Sequence, residues 1–127
     1  MTREYRLVQK TNPADPDTPK KYYANAVTRS HVTLRELSKE IAEISTVSPA
    51  DTMAVIESLL QLIPRHVALG DIVKLGAFGS FSVRLSSNGA ATAEDFTSSL
   101  IKGLKIRFRP GKEINNQLDD VTFEKTT

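Results

Sequence analysis

Apolar and polar positions change period twice along the chain. From Glu4 to Lys10, Tyr5, Leu7 and Gln9 alternate with Arg6, Val8 and Lys10, a period of two that predicts a strand. Thr11 to Pro19, T-N-P-A-D-P-D-T-P, is a Pro/Asp loop that holds neither a helix nor a central strand. Lys21 to Thr28 reads as a second strand, so residues 1–32 are expected to form an N-terminal β-hairpin extension ahead of a main domain at 33–127. At Thr33 the period lengthens. Thr33 and Glu36 have capping-box spacing, and Leu34, Leu37, Ile41 and Ile44 recur on one helical face. Ser48-Pro49 opens a second helix whose stripe is Ile56, Leu59, Leu60, Ile63 and Val67. Pro64 is expected to kink or break it near Leu60, and Gly70 to end it. Such a helical hairpin must bury its stripe against strands or against a second copy of the chain.

After Gly70 the period returns to two. Ile72, Val73 and Leu75 predict a short strand, and Gly76 and Gly79 bracket a tight turn or close backbone approach. Phe81, Val83 and Leu85 then alternate with Ser80, Ser82 and Arg84. Ser86 to Gly103 is small and polar and reads as an extended loop or arm, in which Thr92 and Asp95 have the spacing of a cap on a short helical turn. Leu104 to Arg109 predicts a third strand of this platform, with Leu104, Ile106 and Phe108 on one face and Lys105, Arg107 and Arg109 on the other. Pro110-Gly111 breaks it, Lys112 to Leu118 predicts a short helix, and Val121 to Phe123 a last short strand.

Composition narrows the function. With 127 residues the chain is one domain with an appendage, and 39% hydrophobic residues is low enough to favour an intertwined oligomer. There is no cysteine, hence no disulfide framework and no thiolate metal site. The N-terminus lacks the apolar core of a signal peptide, and no apolar run is long enough to span a membrane. His31 and His66 are far apart and neither has metal-ligand spacing. Gly76-Ala77-Phe78-Gly79 is half of a dinucleotide fingerprint, but no helix opens after it. The carboxylates are scattered over helix faces. No enzyme, cofactor, metal or small-molecule substrate is therefore expected.

The net charge of +2 says little, but its distribution says more. Residues 1–32 carry six Lys/Arg against three Asp/Glu, and Lys102, Lys105, Arg107, Arg109 and Lys112 form a run with no acid among them. A strand spaces Lys105, Arg107 and Arg109 about 6–7 Å apart on one face. Arg84 lies on the preceding strand, and Gly111-Lys112 opens a helix whose free amides favour a phosphate. These seven residues are the candidate contacts to double-stranded DNA, made to the backbone with little sequence preference.

Three features carry a resemblance to a family: the helix pair joined at Val47-Ser48-Pro49, the stretch Gly70-Asp71-Ile72-Val73-Lys74-Leu75-Gly76-Ala77-Phe78-Gly79-Ser80-Phe81, and Phe108-Arg109-Pro110-Gly111-Lys112. From about Thr33 to Leu118 the chain resembles the HU and integration-host-factor class of bacterial histone-like DNA-binding proteins. The resemblance implies an α+β, HU-like intertwined homodimer, with a helical hairpin, a three-stranded antiparallel sheet with an arm, and a short C-terminal helix. It implies a nucleoid-associated, cytoplasmic protein that condenses DNA architecturally. The family's arm is basic and carries a proline wedge; here Ser86 to Gly103 has no proline and carries Glu94 and Asp95, and Ala77 stands where the family has Gly. The family also lacks residues 1–32. The alternative is an HU fold kept as a structural or protein-partner module with weak or lost DNA binding.

Overall fold

The apolar periods described above become three helices and two three-stranded sheets in the computed structural model, which describes residues 1–126. The first sheet contains β1 (Thr2–Lys10), β2 (Lys21–Ala26) and the last strand, β6 (Thr122–Lys125), in the order β2-β1-β6. β1 and β2 are antiparallel, with Tyr5 opposite Ala26 and Lys10 opposite Lys21. β6 runs parallel to β1, Thr2 facing Thr122 and Tyr5 facing Lys125. The chain divides into two compact units, Met1–His31 with the segment from Asn116 onward, and Val32–Asn115. The last short strand read from Val121 to Phe123 forms as β6, and it is an edge of the first sheet. Its backbone groups are satisfied there by β1, a pairing partner that lies too far away in sequence to leave a local signal.

In the second unit, α1 (Leu34–Ile44) starts where the Thr33 hydroxyl accepts the Glu36 N–H at 3.2 Å. α2 (Pro49–Ala68) starts where the Ser48 hydroxyl accepts the Asp51 N–H at 3.1 Å. Each cap satisfies one of the amides that a helix start leaves without a partner. Of the kink or break expected near Leu60, the break does not occur: α2 runs through Pro64 as one helix. Proline removes a single donor, and the apolar positions on both sides of it stay in one phase, so continuing the helix keeps the stripe intact. At its end Gly70 takes φ 104°. The Gly70 N–H donates to the Val67 carbonyl at 3.1 Å and the Asp71 N–H to the His66 carbonyl at 3.0 Å, the paired bonds of a Schellman cap.

The second sheet has the order β3-β4-β5, all antiparallel: β3 (Val73–Lys74), β4 (Gly79–Ser87) and β5 (Ile101–Pro110). Its ladder is longer than the sequence pattern indicates, reaching Ser87 opposite Ile101, with a register shift after Ser86 and Gly103 at φ 140°. The small polar residues there pair because the opposite strand supplies the hydrogen bonds, and the glycine absorbs the irregularity. The arm loop is shortened to match and is closed by the Asn88 N–H on the Leu100 carbonyl at 2.8 Å. α3 (Lys112–Asp119) follows β5.

α1 packs on α2, and α2 on β3 and β4. Val67, 3% exposed, is nevertheless the one buried large apolar side chain among the described residues. Leu60 on α2 is 72% exposed, Ile44 on α1 85%, and Ile106 on β5 61%.

Candidate nucleic-acid interface

Cross-strand register decides which side chains share a face of the second sheet. Directly opposite residues of an antiparallel pair point to the same side. One row across all three strands is Lys74, Ser80 and Arg109; the next is Ser82 with Arg107, and the next Arg84 with Lys105. The other face carries Val73, Phe81 and Phe108, then Val83 with Ile106, then Leu85 with Leu104. Five cations therefore lie on one face, with Ser80 between Lys74 and Arg109, Ser82 opposite Arg107, and Arg84 directly opposite Lys105. Among the described residues the one contact between a basic side chain and a carboxylate is the hydrogen bond of His66 Nδ1 with Asp71, at 2.9 Å, so none of the five cations has a carboxylate partner there. Two open hollows follow the row. One of about 240 Å³ is lined by Lys74, Ser80, Arg109 and the backbone of Gly76, Gly79 and Gly111. The other, of about 400 Å³, is lined by Arg84, Lys105, Ile106 and Arg107.

The apolar face holds the row in register. The Phe108 ring meets Phe81 at 4.9 Å between centroids and Phe78 edge-on at 5.9 Å. Close backbone approach does the rest. Gly79 has φ 144°, and a Cβ there would stand 2.5 Å from the Arg109 carbonyl and 2.9 Å from the Phe108 ring. A Cβ on Gly111 would run into the Ala77 carbonyl of the 3₁₀ turn Gly76–Phe78. The Gly111 N–H donates to the Phe78 carbonyl at 2.9 Å. The two glycines thus clamp the start of α3 onto the turn before β4.

The candidate residues do not all converge. Arg84, Lys105, Arg107 and Arg109 share the face. Lys74 joins them; it was not singled out from sequence, because only its pairing with Ser80 reveals its side. Lys102 lies at the register shift, outside the alternating row. Lys112 is the first residue of α3. The Gly111 amide is spent on Phe78, so the amides open to an anion begin at Lys112. The arm tip is acidic and small. There the Thr92 hydroxyl accepts the Asp95 N–H at 3.3 Å, the spacing expected of a cap, although the segment forms a turn without becoming a helix.

Among the described residues no cluster of His, Asp or Glu has the make-up of a metal site, and no helix is long and apolar enough to cross a membrane.

A helical hairpin under a β-platform with one cationic face defines an HU-like protein. The comparisons agree. The chain is 30% identical over 93 residues to integration host factor subunit alpha of Colwellia psychrerythraea (strain 34H), a match covering 70% of this chain and 94% of that protein. It also shares its fold with a crystal structure from Bacteroides vulgatus ATCC 8482, assigned as a bacterial DNA binding protein. The TM-score is 0.64 at 16% identity, over 98% of this chain and 47% of that one. The chain thus spans about half the length of that solved structure. A family model, HU-HIG, described as an HU domain fused to wHTH, Ig, or glycine-rich motif, matches residues 1–125. The chain belongs to this HU-HIG family, within the HU and integration-host-factor class of DNA-binding proteins.

Proposed function

We propose that this chain is a homodimeric architectural protein that grips the phosphate backbone of double-stranded DNA with little sequence preference, acting in the cytoplasm at the nucleoid to condense DNA. The observation that carries the reading is the unpaired cationic face of Lys74, Arg84, Lys105, Arg107 and Arg109. Lys112 and the first amides of α3 add a contact at its end, and Lys102 one toward the arm. Long cations and small serines on a sheet face suit phosphate contacts, which position the protein without selecting sequence.

Exposure supports the dimer. The single chain exposes 10833 Å², against about 6,700 Å² for a folded monomer of its mass. The excess is roughly 4,000 Å² per chain, hence roughly 8,000 Å² for two chains, at or beyond the upper end of the about 2,000–5,000 Å² or more that obligate homodimers bury in total. In this reading the DNA-contacting face belongs to the domain assigned from sequence at 33–127, within its compact unit Val32–Asn115, and the hairpin of residues 1–32 lies inside the same family match over residues 1–125. An arm with Glu94 and Asp95 and without proline repels phosphates and offers no proline wedge, so the protein bends DNA less than integration host factor does.

Fluorescence anisotropy on a labelled duplex of random sequence, titrated at several salt concentrations, tests the reading. Tight binding that falls steeply with salt is expected; no binding at low salt overturns it. A second reading makes the fold a protein-partner module. It is favoured by the open apolar hollow on the first sheet, over Tyr5, Leu7, Ala24, Ala26 and Phe123, and predicts partner capture with no duplex binding.

A further inference from the structure

The first sheet carries cations that the interface above does not use. Its register sets Lys10 directly opposite Lys21 at the end of the β1–β2 hairpin. Opposed residues in such a pair have Cβ atoms about 4.5–5.5 Å apart, and like charges there repel. Neither lysine is ion-paired among the described residues. The Asp15 carboxylate accepts the Asp17 N–H at 3.3 Å, turned into its own loop. The Lys10 ammonium lies 5.6 Å over the Tyr23 ring, which holds it on the same side as Lys21.

Beside the two lysines is a hollow of about 440 Å³, also lined by Thr11, Asn12, Thr18 and Tyr23. The Asn12 side-chain oxygen accepts the Ala14 N–H at 3.0 Å, which leaves its amide N–H groups as donors. The loop is set by the Asp15 N–H on the Asn12 carbonyl and the Thr18 N–H on the Asp15 carbonyl, both 3.2 Å. No carboxylate lines the hollow. Two crowded ammoniums with hydroxyl and amide donors, and no acid, match a tetrahedral oxyanion. Arg6 sits four residues before Lys10 on the same strand face, about 13 Å away. A row of that length suits a chain of phosphates better than one ion.

We propose that the hairpin end, through Lys10 and Lys21, is a second contact site for the phosphate backbone of a nucleic acid. The proposal rests on the DNA-binding reading above. The competing account is that lysines at strand ends only discourage edge-to-edge aggregation, and that account predicts no effect on DNA binding.

The test uses the full chain, anisotropy on a random-sequence duplex and a salt series, with Lys10→Gln/Lys21→Gln compared with Lys105→Gln/Arg107→Gln. Removing one cation from its phosphate should flatten the slope of log K against log salt by about 0.9. The hairpin variant should therefore flatten it by about 1.8 for each protomer engaged, with a melting temperature close to wild type because the like-charge repulsion and the Lys10–Tyr23 contact are lost together. Lys10→Arg/Lys21→Arg should keep the wild-type slope, which separates charge from folding. If the hairpin variant keeps the slope while the Lys105→Gln/Arg107→Gln variant flattens it, the second site is overturned and the first stands. If wild-type protein binds no duplex, both fall. Inorganic phosphate that raises the melting temperature through these lysines, with the duplex slope unchanged, would assign the hollow to free phosphate and overturn the nucleic-acid site.

Discussion

Leu60→Asp separates a dimer from a monomer most cleanly. Leu60 belongs to the α2 stripe, yet 72% of it is exposed in the single chain. If the chain works alone, the change is a surface substitution worth within about ±0.5 kcal/mol. If a second copy covers the stripe, two terms appear. Losing the buried leucine costs about 1.5–3 kcal/mol, and an unpaired carboxylate in its place costs about 3–5 kcal/mol more. A symmetric dimer contains the substitution twice, so the loss is at least about 9 kcal/mol, comparable to the whole stability of a typical domain. Sedimentation equilibrium and circular-dichroism melts at two protein concentrations read the outcome. Wild type should sediment at twice the 14.0 kDa chain mass and melt higher when more concentrated, and Leu60→Asp should form no folded dimer. A folded Leu60→Asp protein that melts within a few degrees of wild type would refute the intertwined arrangement. So would a wild type that sediments as a monomer.

Replacing Lys105, Arg107 and Arg109 together with alanine should flatten the salt slope by about 2.7 per protomer engaged, and weaken random and defined duplexes alike; a large change in sequence preference, scored by competition, would contradict backbone contact. Gly111→Ala should destabilise by about 1–3 kcal/mol or more, because the new methyl meets the Ala77 backbone, which has no rotamer to yield; an unchanged urea midpoint would show that the clamp is slack. Ser48→Ala should cost about 1 kcal/mol by removing the α2 cap, again read from the urea midpoint.

Local chemistry made much of the fold legible. Thr33, Ser48 and Gly70 mark helix ends by residue type, and each makes the bond that its type suggests. Period-two alternation placed Lys105, Arg107 and Arg109 on one face before any register was known. What stayed hidden depends on pairing at a distance. β3 is two residues long, so Lys74 acquires a side only by facing Ser80. β6 reads as a strand from Val121 to Phe123, but nothing nearby says that its partner begins at Thr2. Gly111 reads as a helix start open to an anion, whereas its amide is already taken by Phe78 across the turn. Pro64 shows the opposite failure, a strong local rule overruled by an apolar stripe that profits from continuity.

Two phosphate-binding faces on one chain change what either must achieve alone. Once the five-cation face holds a duplex, binding of the hairpin to the same molecule becomes an intramolecular event. Linked sites of that kind gain about 10²–10⁴ in overall affinity without either being strong by itself. A pair of lysines too weak to hold DNA as a separate module can then set the affinity of the whole. Joint engagement also makes the salt slopes of the two faces add, since each neutralised phosphate releases its own counterion. A duplex too short to reach both faces should show the smaller slope of the first face alone, and one long enough should show the sum.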